Sequence, residues 1–151
     1  MATLKVRLEQ DLRTAMKARD ELLTSTLRMA LAAVRTAEVA GEAARALSDD
    51  EILAVLTKEA KKRREAATAY AAANRDELAA KERAEEDILA TYLPPQLTDD
   101  ELRALVADAV QAGGFREMSS MGPAMKAAQA AVAGRAEGGR VAAEVRRQLG
   151  A

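Results

Sequence analysis

The chain has 151 residues and a formal net charge of −1, from 23 Lys and Arg against 24 Asp and Glu, and it contains neither Cys nor His. These absences exclude disulfides, Cys/His zinc sites and every catalytic arrangement that needs a thiol or an imidazole. Any catalysis would rest on carboxylates, Lys, Tyr or a substrate group. Because the net charge is near zero, partners have to be inferred from local patches of charge.

The composition favours closely packed helices. Alanine is abundant, and the only aromatic residues are Tyr70, Tyr92 and Phe115. Alanine favours helix but buries little area, so the core must rely on scattered Leu, Ile, Val and Met. The apolar runs are too short for a membrane span, and the first residues alternate charge with apolar side chains, unlike a signal peptide. We therefore expect a cytoplasmic protein.

N-cap residues predict four helices in the first part of the chain. Thr3 and Asp20 are typical caps for the first two helices, and Ser48 with Glu51 has the spacing of a capping box for the third. Asn74 gives a weaker capping signal, which leaves open whether the chain breaks there or one long helix continues. The apolar stripe of the first helix comprises Leu4, Leu8, Leu12 and Met16.

Pro94-Pro95 marks the predicted boundary between two domains, because proline removes amide donors and ends the preceding helix. Thr98 with Glu101 follows at once as a second capping box, and two shorter helices separated by glycines come after that helix. No strand-like alternation is present. The sequence therefore predicts an all-α fold, with a four-helix N-terminal domain over 1–93 and a three-helix C-terminal domain over 94–151.

A run of basic residues lies on the predicted third helix. Lys58, Lys61 and Lys62 share one side of that helix, and a basic strip of this kind favours contact with phosphates. The alternative is a solvated helix face whose charge is balanced by acids such as Glu59 and Glu65. Runs of surface charge are common, so the pattern alone favours this alternative.

A second set of cations lies in the C-terminal region. Arg135 and Arg140 flank a glycine-containing turn between the last two predicted helices, Lys126 precedes this turn, and Arg146 and Arg147 follow it. Positive charge and free backbone amides close together can hold a phosphate. The alternative is that the glycines only end one helix and begin the next, with the arginines solvated, and spacing alone favours it.

Four stretches of the chain carry a resemblance to known proteins: Ser25–Met29, Lys58–Glu65, Tyr92–Leu97 and the tail from Met121 to Leu149. Together they resemble the GatB/YqeY family. Stand-alone members of that family resemble the tail domain of the B subunit of glutamyl- or aspartyl-tRNA amidotransferase. The resemblance covers essentially the whole chain and is most specific in the Gly-x-x-Met-Lys and Gly-basic-Ala-acidic patterns of the tail. At the position after the Ala of the second pattern, where the family usually has Asp or Asn, this chain has Glu137.

The resemblance implies an all-helical protein linked to tRNA-dependent amidation, in which the tail domain helps to hold tRNA while other domains perform the chemistry. The leading hypothesis is a non-catalytic accessory module that binds tRNA or a tRNA-dependent enzyme such as the amidotransferase, without a cofactor, a metal or a membrane. The candidate tRNA-binding residues are Lys126, Arg135, Arg140, Arg146, Arg147, Lys58, Lys61 and Lys62.

Two alternatives belong to other classes of function. One is a carbon–nitrogen ligase with glutamine as amido-N-donor, acting within a complex, and the other is a helical protein–protein adaptor. The sequence has no Gly-rich nucleotide loop and no amidase Ser-Ser-Lys arrangement. We therefore do not expect the chain to be catalytic alone.

Overall fold

The computed structural model describes residues 3–150. In this range the chain forms seven α-helices and one short 3-10 helix, with no strand, so the all-α prediction is confirmed. In chain order, the α-helices are α1 (Leu4–Ala18), α2 (Glu21–Glu38), α3 (Asp49–Ala72), α4 (Asp76–Ala90), α5 (Asp99–Gly113), α6 (Met121–Val132) and α7 (Gly138–Gly150), and the 3-10 helix is Met118–Ser120. Among the helices of the described residues, none combines the length and the apolar character needed to cross a membrane.

The predicted N-caps set the starts of several helices. Thr3 accepts from the amide of Val6, and Asp20 accepts from that of Leu23, at the starts of α1 and α2. Thr98 and Glu101 form the complete capping box of α5. These bonds satisfy amides that have no partner within the helix, which explains why the chain turns helical at these residues.

The helix is interrupted near Asn74, but Asn74 does not act as the predicted N-cap. Asn74 does not cap α4; it has a positive φ of 59° just after the end of α3, and Arg75 precedes α4 without a side-chain cap. Asparagine tolerates the left-handed conformation better than most residues, so it can end a helix as well as begin one. The α3–α4 hairpin therefore turns on a helix-ending Asn.

Contacts within the chain divide it into two compact units, Met1–Leu93 and Pro94–Ala151. The first contains α1 to α4, and the second contains α5, the 3-10 helix, α6 and α7. That each unit is a domain able to fold alone stays a prediction.

The core of the first unit is mostly aliphatic, and all four of its helices contribute to it together with Tyr92. The stripe predicted for α1 is wrong at its end, because Met16 is 48% exposed whereas Ala15 is 1% exposed. Each four-residue step turns a helix by about 400°, so a strict i, i+4 stripe drifts away from the core after a few turns. The fully or nearly fully buried members of this core are Leu8, Leu27, Ala30, Leu31, Val34, Ile52, Leu56, Ala60, Leu89 and Tyr92.

The core of the second unit depends on close approach of its helices. Ala124 and Ala128 of α6 are both 0% exposed, so α6 presents small side chains where it contacts α5 and α7. The α7 residues Val141, Val145 and Leu149 are buried in the same core, as their spacing predicts. This packing fixes the turn between α6 and α7, where the tail cations lie.

Candidate nucleic-acid interface

The turn between α6 and α7 is built by left-handed residues and by Arg135. Ala133 and Gly134 have φ values of 52° and 76°, which end α6 and reverse the chain. The Arg135 guanidinium then donates to the carbonyls of Val132 at 3.0 Å and of Ala131 at 3.3 Å. A cation over the last carbonyls of a helix is favoured both by hydrogen bonding and by the helix dipole. Arg135 therefore has a structural role as the cap of α6.

Arg140 has an intramolecular role as well. Its Nη2 donates to the carbonyl of Leu97 at 3.0 Å and to Asp99 Oδ1 at 2.9 Å, and its side chain is 34% exposed. The amide of Leu97 also donates to the carbonyl of Arg135 at 2.7 Å. The segment that leads into α5 is thereby attached to the turn between α6 and α7. Much of the positive charge of Arg140 is committed to this attachment.

The two adjacent arginines near the end of α7 differ in their partners. Arg147 pairs with Glu144 at 2.5 Å, and this hydrogen bond is the main reason why the pKa of Glu144 falls to about 2. Arg146 is exposed, and no carboxylate among the described residues pairs with it. Of the two, only Arg146 leaves its charge available to a ligand.

Lys126 is the other available cation of the tail. It lies on α6 between the buried Ala124 and Ala128 in sequence, and it is exposed because it is on the side of the helix away from the core. No carboxylate in residues 3–150 forms an ion pair with it. Of the five predicted tail cations, Lys126 and Arg146 are therefore the two without an intramolecular partner among the described residues, and they lie on helices that pack against each other. That the five residues bind tRNA stays a prediction.

The basic strip on α3 is largely neutralised. Lys62 pairs with Glu59 at 3.2 Å, and Lys61 lies 3.9 Å from Glu65. Lys58 is exposed and makes no ion pair with a described residue. The structure thus agrees with the alternative drawn from the sequence for Lys61 and Lys62, a solvated face with balanced charge, and leaves Lys58 available.

Arg63, in the middle of the same basic run, is a core residue. It is 5% exposed and its Nη1 donates to Glu59 Oε2 at 2.7 Å, while its Nε lies 3.4 Å from Glu85 Oε2. Glu85 itself is 4% exposed on α4. The group therefore joins α3 to α4 through buried charge. In the sequence, only the four-residue spacing of Glu59 and Arg63 indicates part of this buried group.

No metal-binding group is found in residues 3–150. These residues include no group of three or more Asp or Glu side chains placed to hold a metal ion. A surface depression follows the end of α2, and its lining residues are Arg35, Glu38, Val39, Ala44, Arg45 and Ala46. Its charged groups are guanidinium and carboxylate, and its lining contains no hydroxyl nucleophile or lysine.

Comparison with known proteins gives one family and one curated relative. The family model described as "Yqey-like protein" matches residues 5–149. The curated relative is "Altered inheritance of mitochondria protein 41, mitochondrial" of Meyerozyma guilliermondii, which is 37% identical over 94 residues. This match covers 61% of the chain and 47% of the relative, so it spans about half the length of that protein. Since the family model covers nearly the whole sequence, the chain belongs to the Yqey-like protein family.

Proposed function

We propose that this Yqey-like chain is a non-catalytic accessory module that binds tRNA or a tRNA-dependent enzyme of the amidotransferase type. The observation that carries the proposal is the pair of exposed, unpaired cations on α6 and α7, Lys126 and Arg146. The resemblance of the tail to the amidotransferase B subunit supports the same partner. The C-terminal unit is the part of the chain expected to contact the RNA first.

Binding would rest on phosphate contacts. Each phosphate neutralised by Lys or Arg releases condensed counterions, so affinity falls steeply as salt rises. Lys126, Arg146 and Lys58 are expected to make the direct contacts. Arg135, Arg140 and Arg147 have partners of their own, so they are expected to shape the surface and to add weaker attraction. With only three aromatic side chains in the sequence, recognition would depend on RNA shape and backbone.

The test is a salt-titrated tRNA-binding assay with charge-matched variants. The tail variant carries Lys126→Glu with Arg146→Glu, and the α4 control carries Lys81→Glu with Arg83→Glu, two exposed cations that also lack an ion pair among the described residues. Both variants change the net charge equally. The tail variant should bind roughly tenfold more weakly at low salt and show a shallower dependence on salt, whereas the control should resemble wild type.

Two results would count against this proposal. If wild type fails to bind tRNA at low salt, direct tRNA binding is wrong, and a helical adaptor for another protein takes its place. If the tail variant and the α4 control weaken binding equally, the effect is one of overall charge and the tail is not the contact surface. Circular dichroism of each variant checks that the fold is intact.

The alternative is a carbon–nitrogen ligase with glutamine as amido-N-donor, acting within a complex. The chain alone is expected to release no ammonia from glutamine, with or without ATP and charged tRNA, because it lacks a thiol, an imidazole and a nucleotide loop. Turnover that persists through further purification and scales with the protein would favour the ligase.

A cytoplasmic location is part of the proposal. The curated relative from Meyerozyma guilliermondii is described by its name as mitochondrial. Fractionation of cells that express this chain with an epitope tag distinguishes the two compartments, and recovery in an organelle fraction would contradict the cytoplasmic location.

A further inference from the structure

The hairpin of α1 and α2 carries positive charge that has no partner. Between residues 12 and 37 the acidic residues are only Asp20 and Glu21. All the cations in this range are exposed, and none forms an ion pair with a described residue. These cations are Arg13, Lys17, Arg19, Arg28 and Arg35.

Two cations close to the hairpin or on the neighbouring helix do have partners. Towards the other end of the hairpin, Lys5 pairs with Glu38 at 2.9 Å. On α3, Arg64 pairs with Glu86 of α4 at 2.9 Å. One of the two acids near the free cations is also occupied, because Asp20 accepts from the amide of Leu23 as the cap of α2. Four of the five free cations, Arg13, Lys17, Arg19 and Arg28, therefore lie within residues 13–28, around the end of α1 and the first half of α2.

Contacts around Met16 bring three of these cations onto one surface. The Arg28 guanidinium lies 3.8 Å from the sulfur of Met16, so this α2 side chain reaches across to α1. Arg13 is three residues before Met16 on α1 and therefore lies next to it on the helix surface. Lys17 is four residues after Arg13, and like charges at this spacing repel each other. A bound anion would relieve that repulsion.

We propose that this hairpin surface, formed by Arg13, Met16, Lys17 and Arg28, is a second contact surface for the phosphate backbone of RNA. The proposal rests on the proposed tRNA-binding function and extends it to the N-terminal unit. Guanidinium groups match phosphate oxygens in geometry, and the half-exposed thioether of Met16 offers an apolar contact for a ribose or a base.

Charge complementarity favours RNA over an acidic protein helix. A helix that docks on a protein needs an apolar groove for its anchor side chains. Next to these cations the exposed large apolar side chains are Met16 and Met29, which are 48% and 46% exposed. Each of these sulfurs lies against an arginine, Arg28 or Arg63, so the two form separate contacts and not a continuous groove.

The test uses the full chain and fluorescently labelled tRNA over a range of salt concentrations. The hairpin variant carries Arg13→Glu with Arg28→Glu, which leaves the last turn of α1 unchanged and matches the α4 control in charge. If each substitution removes one phosphate contact, the slope of log affinity against log salt should decrease in magnitude by about 1.5. Affinity at low salt should fall roughly tenfold. The α4 control should behave like wild type.

The tail variant separates this inference from the proposed function. If the tail variant binds more weakly while the hairpin variant binds like wild type, the hairpin inference is wrong and the tail surface stands. If only the hairpin variant weakens binding, the hairpin inference stands and the tail is not the contact surface. Absence of tRNA binding by wild type at low salt overturns both.

Polyglutamate serves as a probe of specificity. If wild type binds polyglutamate of matched charge as tightly as tRNA, and the hairpin variant loses both to the same extent, the surface is a general polyanion site and the RNA assignment fails. Tighter binding of tRNA than of polyglutamate supports the assignment. Equal melting temperatures of the hairpin variant and wild type show that the loss does not come from unfolding.

Discussion

The hydroxyl of Tyr92 donates a hydrogen bond of 2.5 Å to Asp11 Oδ2, and this bond ties the end of the first unit to α1. Arg7 completes the arrangement, with its guanidinium 4.6 Å from the centre of the Tyr92 ring. Tyr92 is 8% exposed, and burial, followed by the bond to Asp11, raises the pKa of its hydroxyl. The residues just before Pro94 are thus held to the core by a specific polar contact.

Replacing Tyr92 with Phe should destabilise the first unit by about 1–3 kcal/mol, because Asp11 loses its hydroxyl donor in a partly buried place. Urea unfolding measures the change. Tyr70→Phe is the matched control, because Tyr70 is partly exposed and makes no hydrogen bond with its hydroxyl among the described residues. Equal stability of the two variants would show that the Tyr92–Asp11 bond contributes nothing.

Replacing Arg140 with Ala should destabilise the second unit by about 1–2 kcal/mol, since the Leu97 carbonyl and Asp99 lose a charged donor that is about one-third exposed. Arg146→Ala should change stability little, because Arg146 has no intramolecular ion pair to lose. Thermal unfolding of both variants provides the comparison. If Arg140→Ala unfolds like wild type, the attachment of the α5 segment to the turn is not important for stability.

Acid should weaken the contribution of Glu144. Its pKa is lowered from 4.5 to about 2, chiefly by the hydrogen bond from Arg147, so the folded protein favours the ionised carboxylate. The stabilisation is fully present above the ordinary pKa and is lost as the pH falls towards about 2. The difference in unfolding free energy between wild type and Glu144→Gln should therefore be constant from pH 7 to about 5 and shrink below that. A difference that is the same at pH 7 and pH 3 would contradict this assignment.

Arg63→Met should be the most destabilising of these substitutions, by about 3–5 kcal/mol, because it leaves the carboxylates of Glu59 and Glu85 without their shared cation. The double variant Arg63→Met with Glu85→Met should recover part of that loss, since it removes the buried carboxylate of Glu85, whereas Glu59 keeps its pair with Lys62. Lys58→Met is the control on the solvated side of α3, because Lys58 is exposed and makes no ion pair with a described residue. Urea unfolding of the set gives the coupling between Arg63 and Glu85, and additive effects would contradict a direct interaction.

The units 1–93 and 94–151 should each fold when expressed separately. Each has its own buried cluster of apolar residues. The shorter fragment should be the less stable, because small chains bury a smaller fraction of their surface. Circular dichroism with thermal melting is the measurement. A fragment that lacks helix, or melts without a cooperative transition, would show that the unit depends on the rest of the chain.

Much of the fold could be predicted from the sequence because a helix cap involves only residues a few positions apart. Thr98 and Glu101 specify the start of α5 by themselves. Asn74 could not be assigned in the same way, because Asn both begins helices and ends them, and the local sequence does not decide between the two. The prediction that Met16 belongs to the buried stripe of α1 is wrong for a geometric reason, since a four-residue repeat drifts around a helix of about 3.6 residues per turn.

The candidate site was harder to predict because a run of cations does not show which of its charges are neutralised. Lys61, Lys62 and Arg147 pair with acids three or four residues away, whereas other partners are distant in sequence. Arg64 bonds to Glu86, 22 residues later, and Arg140 bonds to Asp99, 41 residues earlier. Charge in a run of basic residues indicates where cations lie, but their availability depends on tertiary packing. The free cations Lys126 and Arg146 look no different in sequence from their paired neighbours.

The burial of Arg63 between two helices restricts how relatives of this chain can diverge. Loss of the arginine alone leaves the buried Glu85 without a counter-charge and Glu59 with only Lys62, and loss of Glu85 alone removes the α4 side of the contact. A lineage that changes one position therefore passes through a weakened intermediate unless a second change follows. Positions 59, 63 and 85 should consequently be inherited as a set, replaced together by apolar side chains or kept together, while Lys58 and Lys61, which do not contact this group, exchange freely.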